Sequence, residues 1–433
     1  MPEPHTADGG TGRFDRLFDR LWDELAPIGR DRATGGYRRF TFGGPDAELR
    51  DWFHRAAAGV GLDAETDGNG NMWAWWGAPG PDAVVTGSHL DSVPDGGAYD
   101  GPLGVVSALA AVAELRRRGV RPRRPLAVAV FAEEEGARFG VPCLGSRLLT
   151  GAVTAERAAA LADPSGTTWA QAMERAGRDP AAMGPDPERL ARIGRFVELH
   201  VEQGRALADR DRAVGAARSI WPHGRWRWTF TGRADHAGTT RLEDRRDPML
   251  PMARMVLAAR AAAAAHGAVA TVGRVEAEPN GTNAIASRVR AWLDARAPDT
   301  EDLGAVVADV AAEVRRAAEE QGVGAEEHQE SDTPVVEFDG GLTERAAAVA
   351  GGAGGPVPIL PTGAGHDAGV LAAHVPTAML FVRNPTGVSH SPEEYAERPD
   401  CHAGVWALAD VLEDLAAGEE GASGPRPPRP PRQ

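Results

Sequence analysis

Between Gly87 and Val105 the chain reads GSHLDSVPDGGAYDGPLGV, a glycine-rich segment that spaces out His89, Asp91 and Asp100. An imidazole and carboxylates in one short segment are the usual ligands of a divalent metal such as zinc. The glycines let the backbone turn sharply, so that Asp100 can fold back towards His89. A polar loop ending in a helix-capping aspartate is the plainer reading, and a match this short does not decide between the two. Residues of the same chemistry recur downstream: Glu133-Glu134-Glu135 before Gly136, His200 in ELHVEQG, and His390 in GVSHSPEE. A lone histidine at a strand end is usually structural. Three of them on separate strand ends, together with a carboxylate pair, are not explained by packing.

The elements around these residues predict that they meet. The apolar run 83–86 precedes the first loop and a helical pattern over 103–118 follows it. The loop therefore joins a strand to a helix, where open α/β sheets bind their ligands. With the strand over 126–131 this makes one βαβ unit, and its right-handed crossover opens both strand ends on one edge. Glu133 to Glu135 should then lie near His89 and Asp100. A third strand, over 195–201, delivers His200, and a fourth, over 377–383, leads to His390. Ser391-Pro392-Glu393-Glu394 has the form of a capping box with proline at the first helical position, which predicts a helix start there. A last helix runs through Val405, Leu408, Val411, Leu412 and Leu415. Upstream, helices are expected over 13–26 and 45–58 and a strand over 72–76, whose tryptophans read as core.

From Ser219 the pattern changes. Trp226, Trp228 and Phe230 alternate with Arg225, Arg227 and Thr229, as in a half-buried strand. A helix over 248–266, strands over 269–276 and 289–296, a helix over 300–321 and a last strand near 335–338 give the order βαββαβ of a ferredoxin-like domain. The fold class expected is thus α/β, with a catalytic domain of residues 1–218 and 332–418 and an inserted α+β domain of residues 219–331. Residues 419–433, EEGASGPRPPRPPRQ, read as a disordered or polyproline tail.

At 433 residues two domains are the prior expectation. A formal net charge of -15 argues against sequence-independent nucleic-acid binding, which needs a cationic surface. The chain has no lysine, so a lysine Schiff base and the phosphate-binding lysine of a Walker loop are both excluded. Cys143 and Cys401 cannot make a disulfide framework, and Cys143 reads as an inert thiol. The opening MPEPHTADGG lacks the basic-then-apolar order of a secretory signal, and no apolar run reaches membrane length. A cytoplasmic protein without membrane or nucleic-acid partners is expected.

The motifs GSHLDSVPDGGAYDG, EEEGARFG, ELHVEQG, HAGTT, PNGTN, LDAR, TGAGHDA and GVSHSPEE occur in this order. Over roughly residues 13–416 the chain resembles the peptidase M20 family, and within it the ureido-acid amidohydrolases: N-carbamoyl-L-amino-acid hydrolases, allantoate amidohydrolases and β-ureidopropionases. The resemblance implies two divalent metal ions per subunit, zinc or manganese, cobalt or nickel. Asp100 would bridge them, His89 and His200 completing one and Glu135 and His390 the other. Asp91 would accept from the second nitrogen of His89. Glu134 would be the general base and His236 the group that polarises the scissile carbonyl. Asn283 and Arg296 would grip the substrate carboxylate, with Gln203, Arg225 and His366 as further contacts. Histidine at position 200, where M20 peptidases and aminoacylases carry a carboxylate, resembles the ureido-acid branch. The implied reaction is hydrolysis of a ureido or carbamoyl C–N bond in a small carboxylic acid. The products are an amine, ammonia and carbon dioxide, and peptide or N-acyl-amino-acid hydrolysis is the alternative. The inserted domain would act as a lid and carry a homodimer interface. Arg241-Leu242 departs from the Pro-Met that the family usually has after HAGTT.

Overall fold

A computed structural model describes residues 11–417. The expected tail, 419–433, lies outside the described residues. Two compact units divide the chain: Ser219–Val336 with Pro361–Ala364, and the remainder.

In the first unit, α1 (Thr11–Leu25) buries Phe18, Leu21, Trp22 and Leu25, and α2 (Gly44–Gly59) buries Leu49, Trp52 and Phe53. β1 (Asp63–Thr66) and β2 (Met72–Trp76) form a hairpin, and Asp67 closes its turn by accepting the N–H groups of Asn69 and Asn71. Next come β3 (Ala83–His89), α3 (Pro102–Arg117) and β4 (Leu126–Phe131). Every residue of β3 and β4 is buried, the signature of parallel strands covered on both faces. Of four short helices, α4 (Leu144–Thr150), α5 (Ala155–Ala160) and α6 (Trp169–Arg175) gather around Trp169, and α7 (Pro187–Leu190) packs against α4. Then follow β5 (Ile193–Val201), α8 (Ala206–Asp209) and β6 (Val214–Ile220).

The second unit holds β7 (His223–Thr231), β8 (Asp235–His236), α9 (Met249–Ala265), β9 (Val269–Glu278), β10 (Ala284–Ile285), β11 (Arg288–Arg296), α10 (Thr300–Gln321) and β12 (Gly324–Thr333). Its antiparallel sheet runs β12-β7-β11-β9, the 4-1-3-2 order of a βαββαβ unit. Trp226, Trp228 and Phe230 share a core with Val289, Leu293, Met255 and Val310 from the neighbouring strand and the two helices. One strand differs from expectation. The last strand of this sheet is the polar GAEEHQESDT of 324–333, not 335–338. As an edge strand with mostly exposed side chains it lacks the apolar alternation that marks a strand.

The chain returns to the first unit through β13 (Val336–Glu337), α11 (Gly340–Gly351), β14 (Ile359–Thr362), α12 (Asp367–Leu371), β15 (Thr377–Val382) and α13 (Arg398–Ala416). The large sheet is ordered β1-β2-β4-β3-β5-β15-β6-β13, with β14 also on β6. Its centre, β4-β3-β5-β15, is parallel, so four carboxyl ends open on one edge. α3 and α13 pack together in the core beside these strands. Fully burying residues such as Leu199, Leu380 and Leu408 contributes about 1.5–3 kcal/mol each, and this holds the strand ends rigid. Among the described residues no helix is long and apolar enough to cross a membrane.

The helix expected to start at Ser391 does not form; α13 begins at Arg398. Glu393 does donate its N–H to Ser391 Oγ, but the Glu394 carboxylate turns to another loop instead of returning to Ser391.

Candidate active site

His89 is the last residue of β3 and fully buried. The loop after it brings Asp100 back, with Asp100 Oδ1 3.5 Å from His89 Nε2. Gly101 makes this return possible. Its φ is +84°, and a Cβ there would lie 2.5 Å from the His89 ring. From β5, His200 places Nε2 3.2 Å from the same Asp100 Oδ1. The other oxygen, Asp100 Oδ2, is 3.3 Å from His390 Nε2, which is itself 3.5 Å from Glu135 Oε2. Asp100 thus turns one oxygen to His89 and His200 and the other to His390 and, through it, Glu135. In each of these groups the donor atoms lie within 4.8 Å of one another. Glu198, His200 and His366 form a third such group, but Glu198 already accepts from Ser88 Oγ at 2.7 Å and from the Ala368 N–H at 3.1 Å.

The electrostatics fit cations at this place. His89 Nε2 is buried without a hydrogen-bond partner among the described residues, and it faces carboxylates. Burial pushes the Asp100 carboxyl up, but the imidazoles of His200, His390 and His89 around it outweigh that and hold it well below the usual range. The hydrogen bond to Asp100, working against burial and aided by Glu135, lifts His390 to about 9. Burial and the charge of Asp100 push Glu135 up to about 7. Buried carboxylates crowded in this way call for positive charge, which imidazolium or a metal ion can supply.

Glu134 lies beside His89, with Oε2 3.6 Å from His89 Nε2 and Oε1 3.5 Å from Cys143 Sγ. Burial, with Asp367, Glu135 and Asp100 nearby, raises its carboxyl well above the usual range despite His89. Glu133 has a different task. Its Oε1 accepts the N–H groups of Arg138 and Phe139 and so builds the turn after β4.

Asp91 departs from its expected part. The atom within hydrogen-bond distance of His89 Nδ1 is the Asp91 carbonyl oxygen, at 3.1 Å, whereas the carboxylate stands 3.6 Å away. That carboxylate accepts the N–H groups of Glu134 and Glu135, because the turn after β4 presents two backbone donors to it. Gln203 Nε2 donates to Asp100 Oδ2 at 2.8 Å, so in this state it holds the aspartate. His366 is buried edge-on against His200, with ring centroids 4.5 Å apart, and burial beside His200 holds it well below its usual range.

The remaining candidates belong to the second unit and sit at two ends of it. Arg225 and Arg296 share Asp294, donating to it at 3.2 and 3.0 Å. At the other end β8 pairs with β10, which sets His236 opposite Ala284 and the Ala237 N–H on the Asn283 carbonyl. His236 Nδ1 accepts the Gly238 N–H, so Nε2 carries the ring proton and is the donor. Arg245 closes this loop by donating to the carbonyls of Ala237 and Thr240, and the unexpected Leu242 is exposed.

Several polar neighbours were not anticipated. Glu198 shares a face of β5 with His200, and this two-residue spacing within a buried strand was the available signal. Asp367 pairs with Ser146, Cys143 touches Glu134, and Glu394 reaches the Asp100 backbone. No local pattern announces the Asp367 and Glu394 contacts, whose partners are more than 200 residues away in sequence, and the Cys143 contact depends on how the turn after β4 folds back.

A parallel sheet with imidazoles and carboxylates gathered at its strand ends is the frame of a hydrolase of the amidohydrolase kind. The chain belongs to Peptidase family M20/M25/M40, whose profile matches residues 85–414. It is 34% identical over 410 residues to N-carbamoyl-L-amino acid amidohydrolase of Geobacillus stearothermophilus, covering 93% of this chain and 99% of that one. Allantoate amidohydrolase of Bacillus subtilis is 34% identical over 394 residues, covering 89% and 94%. The crystal structure of AtUAH in complex with glyoxylate superposes with a TM-score of 0.81 at 29% identity, covering 93% and 97%.

Proposed function

We propose that this enzyme hydrolyses the ureido or carbamoyl C–N bond of a small carboxylic acid, an N-carbamoyl-L-amino acid or allantoate. The observation that carries the reading is Asp100, whose two oxygens face two histidine-containing groups with Glu134 beside them. The names of the two curated relatives, and the small carboxylate in the AtUAH complex, support the substrate class.

His89, Asp100 and His200 would hold one divalent ion, and Asp100, Glu135 and His390 a second. Such a pair supplies Lewis acidity and lowers the pKa of water from 15.7 towards about 7. Glu134 Oε2 takes a proton from the attacking water and returns it to the leaving nitrogen. His236 donates from Nε2 to the carbonyl oxygen as negative charge develops there. The guanidinium of Arg296 receives the substrate carboxylate. One water enters, the C–N bond breaks, ammonia leaves, and the resulting carbamate parts into an amine and carbon dioxide.

The second unit supports a dimer in this scheme. Arg296 ends β11, while His236 lies beyond its beginning. Nine residues of strand span on the order of 26 Å, far more than a small ureido acid. One substrate cannot touch both ends of one copy, so a second subunit supplies one of them. The exposed Leu250, Val256 and Leu257 of α9 and Val269 and Val275 of edge strand β9 suit an interface with two-fold symmetry.

Ammonia release should be measured over a panel of ureido acids and matched N-acyl amino acids. The enzyme would be tested after chelation and again after divalent metal is restored. Metal-dependent release from the ureido acids is expected. Turnover of the N-acyl compounds alone would refute the reading.

A further inference from the structure

The two halves of the site are built differently. His89 and His200 are buried at strand ends, and each anchors Nδ1 on a backbone carbonyl, Asp91 O at 3.1 Å and Val201 O at 2.9 Å. His390 lies on the long segment between β15 and α13, its side chain is 51% exposed, and its backbone is left-handed at φ +55°. A non-glycine residue holds that conformation only when its surroundings impose it.

Glu394 is the group that can impose it. Its side chain is buried, and Oε1 accepts the N–H of Tyr99 at 2.8 Å and of Asp100 at 2.9 Å. Oε2 accepts from Ser389 Oγ at 3.1 Å, and that hydroxyl is 3.2 Å from Asp100 Oδ2. The fit is close: a Cβ on Gly97 would lie 2.4 Å from Glu394 Oε1. One carboxylate thereby fastens the loop carrying Asp100 to the residue beside His390. Burying it near Asp100 is costly, and three hydrogen bonds offset that cost.

We propose that Glu394 is the positioning residue of the His390 half of the site, so that its loss weakens uptake of the second metal ion far more than uptake of the first, which shares only Asp100 with that half. This rests on the two-ion reading above. The test is equilibrium dialysis of the chelated full-length protein against Mn²⁺, with bound metal counted by mass spectrometry and folding checked by circular dichroism. Wild type should take up two ions. Glu394→Ala should bind the first ion no more than severalfold more weakly than wild type and the second about 10- to 100-fold more weakly, the usual range for losing a residue that orients a ligand. Ser389→Ala, which removes the hydroxyl joining the His390 segment to Glu394 and Asp100 but leaves Glu394 on the Tyr99 and Asp100 N–H groups, should weaken the second ion severalfold, and it carries the test if Glu394→Ala does not fold. Unchanged affinity for the second ion, or equal loss of both, overturns the proposal. Wild type binding fewer than two ions overturns the two-ion reading itself, and this proposal with it.

Discussion

Arg296 offers the most direct test of substrate recognition. Its Nε donates to Asp294 Oδ1 at 3.0 Å and its Nη1 to the Gly363 carbonyl at 2.6 Å. Two of its five N–H groups are thus spent on holding the guanidinium in place. Nη2 and the second N–H of Nη1 remain for a substrate carboxylate. Lysine at this position keeps the charge but cannot grip Asp294, Gly363 and a carboxylate together. Losing one charged hydrogen bond costs about 1.5–3 kcal/mol, or about 10- to 150-fold in kcat/KM. Arg296→Lys should show that loss in steady-state ammonia release, with metal content unchanged, since Arg296 is not among the ligands assigned above. Arg296→Ala should lose more, although Asp294 would keep its bond to Arg225. A carboxamide analogue of the substrate should be poor for wild type and hardly worse for Arg296→Ala. If Arg296→Ala turns over the carboxylate substrate with intact kcat/KM, the clamp lies elsewhere and the reasoning is refuted.

Glu134→Gln keeps the shape that contacts Cys143 and His89 but cannot take a proton, so turnover should fall about 10²–10⁴-fold with metal content unchanged. Undiminished turnover would move the role to Glu135, because Glu133 is engaged by the turn after β4. The metal-free protein should lose thermal stability as pH rises from 4.5 to about 9. Burial pushes Glu133 and Glu135 from 4.5 up to about 7, so the fold favours their neutral forms, and that stabilisation is lost between those values. His390, lifted from 6.5 to about 9, stabilises the fold below 6.5 and ceases to as pH passes about 9. Saturating divalent metal should flatten this trend, since it binds the deprotonated ligands. A metal-free melting temperature that climbs steadily over this range would contradict the assignment.

Much of this was legible because parallel sheets write their edges plainly. The buried apolar runs of β3, β4, β5 and β15 located four strand ends, and the polar residues at those ends followed. Where the reading failed, the causes were partners that spacing does not reveal and one strand without an apolar pattern. Glu394 had the right spacing for a local capping box, yet two N–H groups nearly 300 residues upstream bind its carboxylate instead. The spacing of Asp91 to His89 suggested a side-chain contact, whereas the backbone carbonyl makes it. β12 carries no apolar alternation because it is an edge strand with mostly exposed side chains, so hydrophobic pattern could not find it. The separate tasks of Glu133, Glu134 and Glu135 became visible only through the atoms each one meets.

The length of β11 has a genetic consequence. If one end of the strand serves a chain's own metal site and the other end serves its neighbour's, two dead alleles can rescue each other. A chain bearing His236→Ala still has Glu134, and a chain bearing Glu134→Gln still has His236. In a mixed dimer one site draws the intact member of each pair, and the other site receives both defects. Random reassortment makes about half of the dimers mixed, so about a quarter of wild-type activity should return on mixing two inactive preparations. A strand too long for one substrate would then make this enzyme obligately communal, a single folded chain holding every part of the machinery and still being unable to run it.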